Sequence, residues 1–298
     1  MSDDFRLTPA AAEAIRATQY FTLASSTVYL YDLFLTLGLE VDLLWSSKWT
    51  LMKVLYLIQR YLPLIDMVIV MMIWQFGEIT DLRTCSKLLV GSSWSYLVGL
   101  TLSEVILTRR TLAVWGNTMK IRIGLFLFAL VCMVPLYLLL AEYHLTEAFT
   151  YHSIPVPGFY CFLTGQSGMS YLLGVWVLLG VYDTGLLVLI AVPAFRAYRS
   201  SELDVRRSTL FKVVHRDGVL YYLYTAALSA LNVIVILNVQ GTYAPLLIAS
   251  LERVVYSILT SHVVLHIREQ AYRTEIVTIN LPNSIDMDAE LEFRRSGV

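Results

Sequence analysis

Several ionisable side chains stand inside long apolar stretches of this sequence, where a charge is unusual. They are Asp32, Arg60, Asp66, Glu104, Asp183, Glu252 and Arg253. A charge in apolar surroundings is costly, so such groups usually pair with one another or face a polar cavity. These seven residues could therefore form ion pairs or bind a polar ligand.

Asp32 and Arg60 are the two charges whose spacing predicts a contact. At about 1.5 Å per helical residue, they lie at comparable depths from the facing ends of two consecutive apolar stretches. Antiparallel neighbouring helices would bring them together, and we predict an Asp32–Arg60 ion pair that holds these helices. The alternative is that each pairs elsewhere, or that Arg60 extends its charged end to the aqueous boundary.

Asp183, Glu252 and Arg253 are the candidate residues of a ligand cavity. Glu252 and Arg253 are adjacent in sequence, so they point about 100° apart on a helix and cannot share one face. One of them could line a cavity while the other packs against a neighbouring helix. Structural pairing of all three is the alternative.

His262 and His266 have the i, i+4 spacing that can hold zinc. Membrane hydrolases with seven helices use such a pair together with a third His from an earlier helix, and the first three apolar stretches contain no His. We therefore predict no metal, no cofactor and no catalytic residue. A retinal protein is also disfavoured, because it needs a lysine inside its last helix. The lysines here lie in loops or at the ends of apolar stretches: Lys48, Lys53, Lys87, Lys120 and Lys212.

The elements that must position these residues are seven apolar stretches. The chain is 57% hydrophobic and only 15% charged, and each stretch reaches the roughly 20 residues that cross a bilayer as a helix. The predicted spans are residues 20–39, 51–75, 88–108, 122–141, 169–195, 217–239 and 243–265. We predict an all-α polytopic membrane protein, a seven-helix transmembrane domain over residues 20–267, with segment 1–19 before it and a disordered tail, 268–298, after it.

The orientation follows from the placement of lysine and arginine, which are enriched in cytoplasmic loops. One alternating set of segments holds sixteen of them: Lys48, Lys53, Arg109, Arg110, Lys120, Arg122, Arg196, Arg199, Arg206, Arg207, Lys212, Arg216, Arg268, Arg273, Arg294 and Arg295. The opposite set holds four: Arg6, Arg16, Arg83 and Lys87. We predict an extracellular or lumenal N-terminus and a cytoplasmic C-terminus. The plasma membrane is the expected location, and an endomembrane is the alternative.

The segments that hold most of the lysine and arginine form a candidate cytoplasmic basic surface. Its central members are Arg109, Arg110, Arg206, Arg207, Lys212 and Arg216. Attraction to anionic lipid, about 1 kcal/mol per basic residue near the surface, accounts for such a surface. Docking of a cytoplasmic signalling protein is the alternative.

Two of the three cysteines would face the oxidising side of the membrane. Cys85 precedes the third span and Cys161 lies between the fourth and fifth. We predict a disulfide between them, with two unpaired thiols as the alternative. Cys132 lies in mid-span and is expected to be a small buried side chain.

The topology resembles that of the rhodopsin-like G-protein-coupled receptors, which share seven spans, this orientation and a disulfide at the top of the third span. Their motifs are weak here, since Arg109-Arg110-Thr111 lacks the acidic neighbour and span 7 lacks Asn-Pro-x-x-Tyr. A closer resemblance covers the N-terminal third, where a spaced pattern is similar to a segment of many fungal membrane proteins that is catalogued as a domain of unknown function. The pattern consists of Tyr31-Asp32, Glu40-Val41, Trp45, Lys48-Trp49, Lys53 and Arg60-Tyr61.

Three classes of function fit these features. The first is a receptor-like sensor of an unidentified ligand, and the second is a transporter or channel, disfavoured by uncharged fourth and sixth spans and by the lack of paired repeats. The third is a membrane-embedded hydrolase, the weakest because a third metal ligand is missing. The expected partners are the lipid bilayer, the ligand and a cytoplasmic signalling protein, with no nucleic acid.

Overall fold

Seven long helices account for nearly all of the residues that the structure describes. The computed structural model describes residues 9–72, 82–147, 151–152, 162–163, 168–200, 205–238 and 244–295. The helices are α1 (Pro9–Glu40), α2 (Leu51–Met71), α3 (Leu82–Val114), α4 (Met119–Glu147), α5 (Met169–Ser200), α6 (Val205–Asn238) and α7 (Ala244–Arg295). A π-helical turn, Val41–Trp45, follows α1, and strands β1 (Tyr151–His152) and β2 (Phe162–Leu163) pair antiparallel between α4 and α5.

Five of these helices contain stretches that are long and apolar enough to cross a membrane. The stretches are Leu51–Met71, Met119–Thr146, Met169–Pro193, Val219–Asn238 and Ile248–Arg273. Large apolar side chains also cover the outside of the bundle, as on α4, where Phe126, Val131 and Leu138 are more than half exposed. Such a surface is suited to lipid rather than water, and the chain is a multi-pass membrane protein.

Helices α1 and α3 are less apolar, because Ser, Thr, Gly and Tyr interrupt their hydrophobic residues. Both are nevertheless parts of the bundle: α1 packs on α7, and α3 contacts α2, α4, α5 and α7. Helix α7 itself contacts α1, α2, α3 and α6. The residues that could carry chemistry therefore converge on α3 and α7.

Two of the apolar clusters that form the core lie along α3. The first includes Leu100 of α3, Leu136 of α4 and Trp176 of α5. The second includes Leu107 of α3 and Leu186 of α5. Between these two clusters, α3 contributes polar residues to the interior of the bundle.

Local sequence explains how two of the connections are made. Thr50 caps the start of α2, since its hydroxyl accepts a hydrogen bond from the Lys53 backbone N–H at 3.3 Å. After α3, Gly116 and Asn117 adopt positive φ angles of 71° and 54°, which end the helix and turn the chain toward α4. The Trp115 indole then ties this turn to α5 by donating to the Leu189 carbonyl at 2.9 Å.

The helices differ in length from the predicted spans. Helix α6 begins at Val205, twelve residues before the predicted start at 217 (217 − 205), and α4 extends beyond both predicted ends. The tail from residue 268 was expected to be disordered, but α7 continues to Arg295. Hydropathy marks only the apolar part of a helix, and helix-favouring polar residues lengthen it without leaving a hydropathy signal.

Candidate functional site

Three buried carboxyl groups lie between the two apolar clusters. Glu104 of α3, Asp183 of α5 and Glu252 of α7 are each no more than 1% exposed. We call these three residues the carboxylate cluster. Asp183 and Glu252 belong to the predicted ligand group, and Glu104 was recognised in the sequence only as a charge within a span.

The Asp183 carboxylate accepts two short hydrogen bonds. The Ser229 hydroxyl of α6 donates to its Oδ2 at 2.5 Å, and the Tyr256 hydroxyl of α7 donates to the same oxygen at 2.6 Å. Both donors are buried. Asp183 thus joins α5 to α6 and α7 in the middle of the bundle.

Glu252 reaches the same serine from the other side. Its Oε1 lies 3.3 Å from Ser229 Oγ, while its Oε2 accepts from Asn232 Nδ2 at 2.6 Å and from the Tyr96 hydroxyl at 3.2 Å. Ser229 has a single hydroxyl hydrogen, so it can donate fully to only one of the two carboxylates at a time. The hydroxyl therefore links the charge of one carboxyl to that of the other.

Glu104 has no hydrogen-bond donor for either carboxyl oxygen among the residues that the structure describes. The Asp183 carboxyl is a neighbour of Glu104, and the two can share a hydrogen bond when one of them is protonated. One oxygen of Asp183 and the side-chain oxygen of Asn232 also lack a donor within the described part of the chain. The cluster is therefore rich in acceptors and poor in donors.

Arg253 is adjacent to Glu252 but belongs to a separate contact. Its Nη2 forms an ion pair with Asp66 Oδ2 of α2 at 2.6 Å, and its Nη1 donates to the Tyr96 carbonyl at 3.3 Å. Gly99 makes room for it, because a Cβ at that position would overlap the guanidinium. The structure thus brings Asp183 and Glu252 together through Ser229 and directs Arg253 to α2.

A second network surrounds Arg60, which is completely buried. Its Nη1 lies 3.4 Å from Asp32 Oδ2, the ion pair that the depth argument predicted. Its Nε lies nearer, at 3.0 Å, to Glu40 Oε2. Nη2 bonds to Thr36, and the Arg60 carbonyl accepts from the Tyr29 hydroxyl.

Glu40 is the residue of this network that the charge argument missed. It is fully buried, and its Oε1 accepts from the Tyr61 hydroxyl at 2.8 Å and from Trp45 Nε1 at 3.2 Å. In the sequence Glu40 directly follows the predicted span 20–39, where a charged residue is expected at the membrane surface and not in the interior. Its place in the spaced pattern of the N-terminal third was the signal that could have found it.

Hydroxyl pairs continue from the carboxylate cluster toward the end of α3. Thr108 and Tyr182 lie 2.7 Å apart through their hydroxyls, and Thr111 and Tyr222 lie 3.1 Å apart. Both pairs join α3 to another helix, α5 in the first case and α6 in the second. We call the end of the bundle where α3 terminates the Arg109 end.

The predicted basic surface is only partly visible. Arg109 and Arg110 line a cavity of about 320 Å³ at the Arg109 end. The other four members, Arg206, Arg207, Lys212 and Arg216, belong to the first turns of α6, and their side chains lie outside the described part of the structure.

The predicted disulfide involves a residue that lies outside the described residues, Cys161. Cys85 is buried in the first turn of α3, and Cys132 is a free, buried cysteine. The Cys85–Cys161 bridge therefore stays a prediction.

The two histidines of α7 have separate partners. His262 Nε2 lies 2.7 Å from Asp32 Oδ1, and His266 Nε2 lies 3.2 Å from Gln270 Nε2. Within the described ranges, no group of three or more His, Cys, Asp and Glu side chains is arranged to hold a metal ion. The contact from His262 instead connects the Arg60 network to α7.

Residues 20–65 match a family described as a family of unknown function (DUF6533). No curated protein and no solved structure matches the chain. The matched segment runs from α1 into α2 and contains Asp32, Glu40 and Arg60. The family likeness thus includes the core of the Arg60 network and leaves the carboxylate cluster outside.

Proposed function

We propose that this membrane protein is a receptor-like sensor with seven spans, an outer N-terminus and a cytoplasmic C-terminus. The carboxylate cluster is its responsive element, and the Arg109 end is its cytoplasmic reporting surface. The observation that carries this proposal is the set of interior polar contacts by which Asp183 and Glu252 join α3, α5, α6 and α7, with Glu104 buried beside them.

Buried polar contacts favour discrete arrangements of the helices. Leaving a buried donor or acceptor unpaired costs about 1–3 kcal/mol, so the helices cannot slide gradually past Ser229 or Tyr256. A change that alters the pairing of these groups favours one packing over another. A sensor needs such a two-state element in its interior.

Charge balance makes the cluster responsive. Its three carboxyls have no cationic partner within the cluster, since Arg253 forms its ion pair with Asp66. Like charges close together in a buried site repel strongly, because little water screens them. The cluster therefore responds strongly to any proton or ligand that changes its net charge.

The hydroxyl pairs give this response a route to the reporting surface. Thr108–Tyr182 and Thr111–Tyr222 connect α3 to α5 and α6 between the cluster and the Arg109 end. A shift of α3 against either helix breaks one of these contacts. The six basic residues of the predicted surface, visible in part as Arg109 and Arg110, would present the change to a cytoplasmic signalling protein.

A proton-coupled transporter is the second candidate, because the same row of carboxyl and hydroxyl groups could relay protons. It differs from a sensor in one measurable respect, which is net movement of protons or solute across the membrane. The carboxylate cluster is at most 1% exposed, and this closed environment favours the sensor.

Hydrogen–deuterium exchange in lipid nanodiscs tests the sensor proposal. The Asp183→Asn variant should alter amide protection at residues 105–122, at the Arg109 end, by about tenfold. Glu142→Gln, a change of charge at an exposed position near the end of α4, should leave that region unchanged. Changes confined to the immediate neighbours of Asp183 would contradict the proposal.

A second measurement separates the two candidates. The wild-type protein in proteoliposomes that contain a pH-sensitive dye should show no proton flux above that of empty liposomes when a pH gradient is imposed. A flux that Glu104→Gln abolishes would identify a transporter.

We also propose the Cys85–Cys161 disulfide, which would tie the outer end of α3 to the loop before α5. Maleimide labelling of the denatured protein should modify Cys132 alone without reductant and all three cysteines after reduction. Labelling of all three without reductant would show that the bridge is not formed.

A further inference from the structure

A cavity of about 320 Å³ opens at the Arg109 end, between α3, the π-helical turn and α7. Its volume is within the range of small-molecule sites. Three arginines line it: Arg109 and Arg110 at the end of α3, and Arg268 on α7. The rest of the lining is entirely apolar and includes Leu44 and Val264.

The cavity lies at the level where a bilayer meets water. Leu44 of its wall is followed directly by Trp45, which is 57% exposed, and Trp49 in the same connection is 75% exposed. Exposed tryptophans concentrate at the depth of lipid headgroups. A ligand in this cavity would therefore be reached from the membrane interface.

We propose that this cavity binds an anionic phospholipid. Guanidinium groups bind phosphate oxygens with paired hydrogen bonds, and a phosphate diester with a net negative headgroup complements the three arginines. The apolar wall suits the glycerol and the upper acyl chains. A zwitterionic lipid lacks the net charge, and a soluble anion would leave the apolar wall without a contact.

A second cavity supports the same chemistry at this level. It has a volume of about 500 Å³, lies between α3 and α4, and shares Arg109 with the first. Arg122 joins Arg109 in its lining, and most of its other lining residues are apolar. Arg109 thus stands between two cavities that combine arginine with apolar side chains, as the boundary of an anionic leaflet requires. This inference does not rest on the sensor proposal, although Arg109 and Arg110 also belong to the reporting surface named there.

Native mass spectrometry of the full chain in detergent tests the lipid site. Wild-type protein titrated with phosphatidylglycerol should retain the lipid, with an affinity at least tenfold above that for phosphatidylcholine of the same acyl chains. Each arginine contributes about fivefold near an anionic headgroup, so Arg109→Gln should weaken binding about fivefold. The triple variant with Arg109, Arg110 and Arg268 changed to Gln should weaken it about 100-fold.

Arg273→Gln is the control, because Arg273 lies on α7, as Arg268 does, but beyond the cavity, and pairs with Glu269. It should bind phosphatidylglycerol as the wild type does. Equal binding of the two lipids by the wild type, or equal loss in Arg109→Gln and Arg273→Gln, would overturn the proposal. The single variant changes an exposed side chain, so the test does not depend on the folding of the triple variant.

Val264→Phe separates a lipid from a free phosphate compound. The added ring fills the apolar part of the cavity and keeps all three arginines, so it should reduce phosphatidylglycerol binding by about tenfold. Soluble glycerol phosphate at the same concentration should not displace the lipid. Displacement by glycerol phosphate, or full lipid binding by Val264→Phe, would show that the arginines bind an anion without the apolar wall and would overturn the lipid site.

Discussion

At the residue scale, a fully buried arginine persists only where its guanidinium retains its partners, because an uncompensated buried charge costs several kcal/mol. Arg60 has two acidic partners, and Glu40 is the closer and more deeply buried of the two. Glu40 also organises Tyr61 and Trp45. The stability of the Arg60 network should therefore depend on Glu40 more than on Asp32.

Glu40→Ala should lower the free energy of unfolding by about 3–5 kcal/mol, since it removes the nearer carboxylate from Arg60. Asp32→Asn should cost less, because Asp32 is the more distant and the more exposed partner. Thermal unfolding of the purified protein in detergent measures which of the two variants loses more stability. Asp42→Asn is the control, an exposed acid two positions from Glu40, and an equal loss of stability in that variant would refute the argument.

The close contact between Gly99 and Arg253 leads to a second prediction at the residue scale. Gly99→Ala places a methyl group where the Arg253 guanidinium lies, so the Arg253–Asp66 pair must shift, at a cost of about 1–3 kcal/mol. Gly91→Ala on the same helix meets nothing within 4 Å and should be neutral or stabilising, as alanine favours helix more than glycine does. The melting temperature should fall in Gly99→Ala and stay the same or rise in Gly91→Ala. Equal shifts in the two variants would contradict the close packing of Gly99 against Arg253.

At the scale of elements, a buried lysine helps to hold the connection between α1 and α2. Lys53 Nζ donates to the carbonyls of Trp45 and Ser47 at 3.1 and 2.8 Å and lies 4.6 Å from the Trp49 ring centroid. Hydrogen bonds to a charged group contribute about 1.5–3 kcal/mol each. This side chain ties the connection to the start of α2.

Lys53→Met should increase amide exchange at residues 46–50 by at least about tenfold, because the bonded carbonyls lose their charged donor. Lys48→Met changes an exposed lysine in the same connection and should leave the exchange unchanged. Hydrogen–deuterium exchange resolved by mass spectrometry compares them. Unchanged protection in Lys53→Met would show that the connection is held by other contacts.

The elements were more predictable than the site. Apolar length located each helix, and the depths of Asp32 and Arg60 on successive helices were enough to anticipate their contact. The carboxylate cluster was not predictable in the same way, because hydropathy does not say which helices are neighbours or which faces they share. The sequence identified Asp183 and Glu252 separately as candidate site residues. Their link through Ser229 depends on how α5, α6 and α7 pack.

At the scale of the whole molecule, the proposed orientation depends on an odd number of crossings. The structure identifies five helices suited to span a bilayer, and the proposal requires α1 and α3 to span it as well. Their polar residues face other helices in several places, as Thr36 and Glu104 do. Contacts within the bundle can therefore compensate for their lower hydropathy.

An epitope tag after Val298 tests this topology. On intact cells the tag should be inaccessible to antibody and become accessible after permeabilisation, while a tag before Met1 should be accessible without it. The pair of tags controls for expression and trafficking. A C-terminal tag that is stained on intact cells would reverse the assignment of every loop.

The Arg60 network also bears on how the chain is made. Glu40 and Asp32 precede Arg60 in the sequence and lie on the helix before it. Both counter-charges of Arg60 are therefore synthesised before it, and if α1 spans the bilayer as proposed, we expect α1 and α2 to insert as a pair of helices whose buried charges are already compensated. His262 follows Arg60 by more than 200 residues (262 − 60 = 202), so we expect α7 to pack last, against Asp32 and Arg60 that are already in contact.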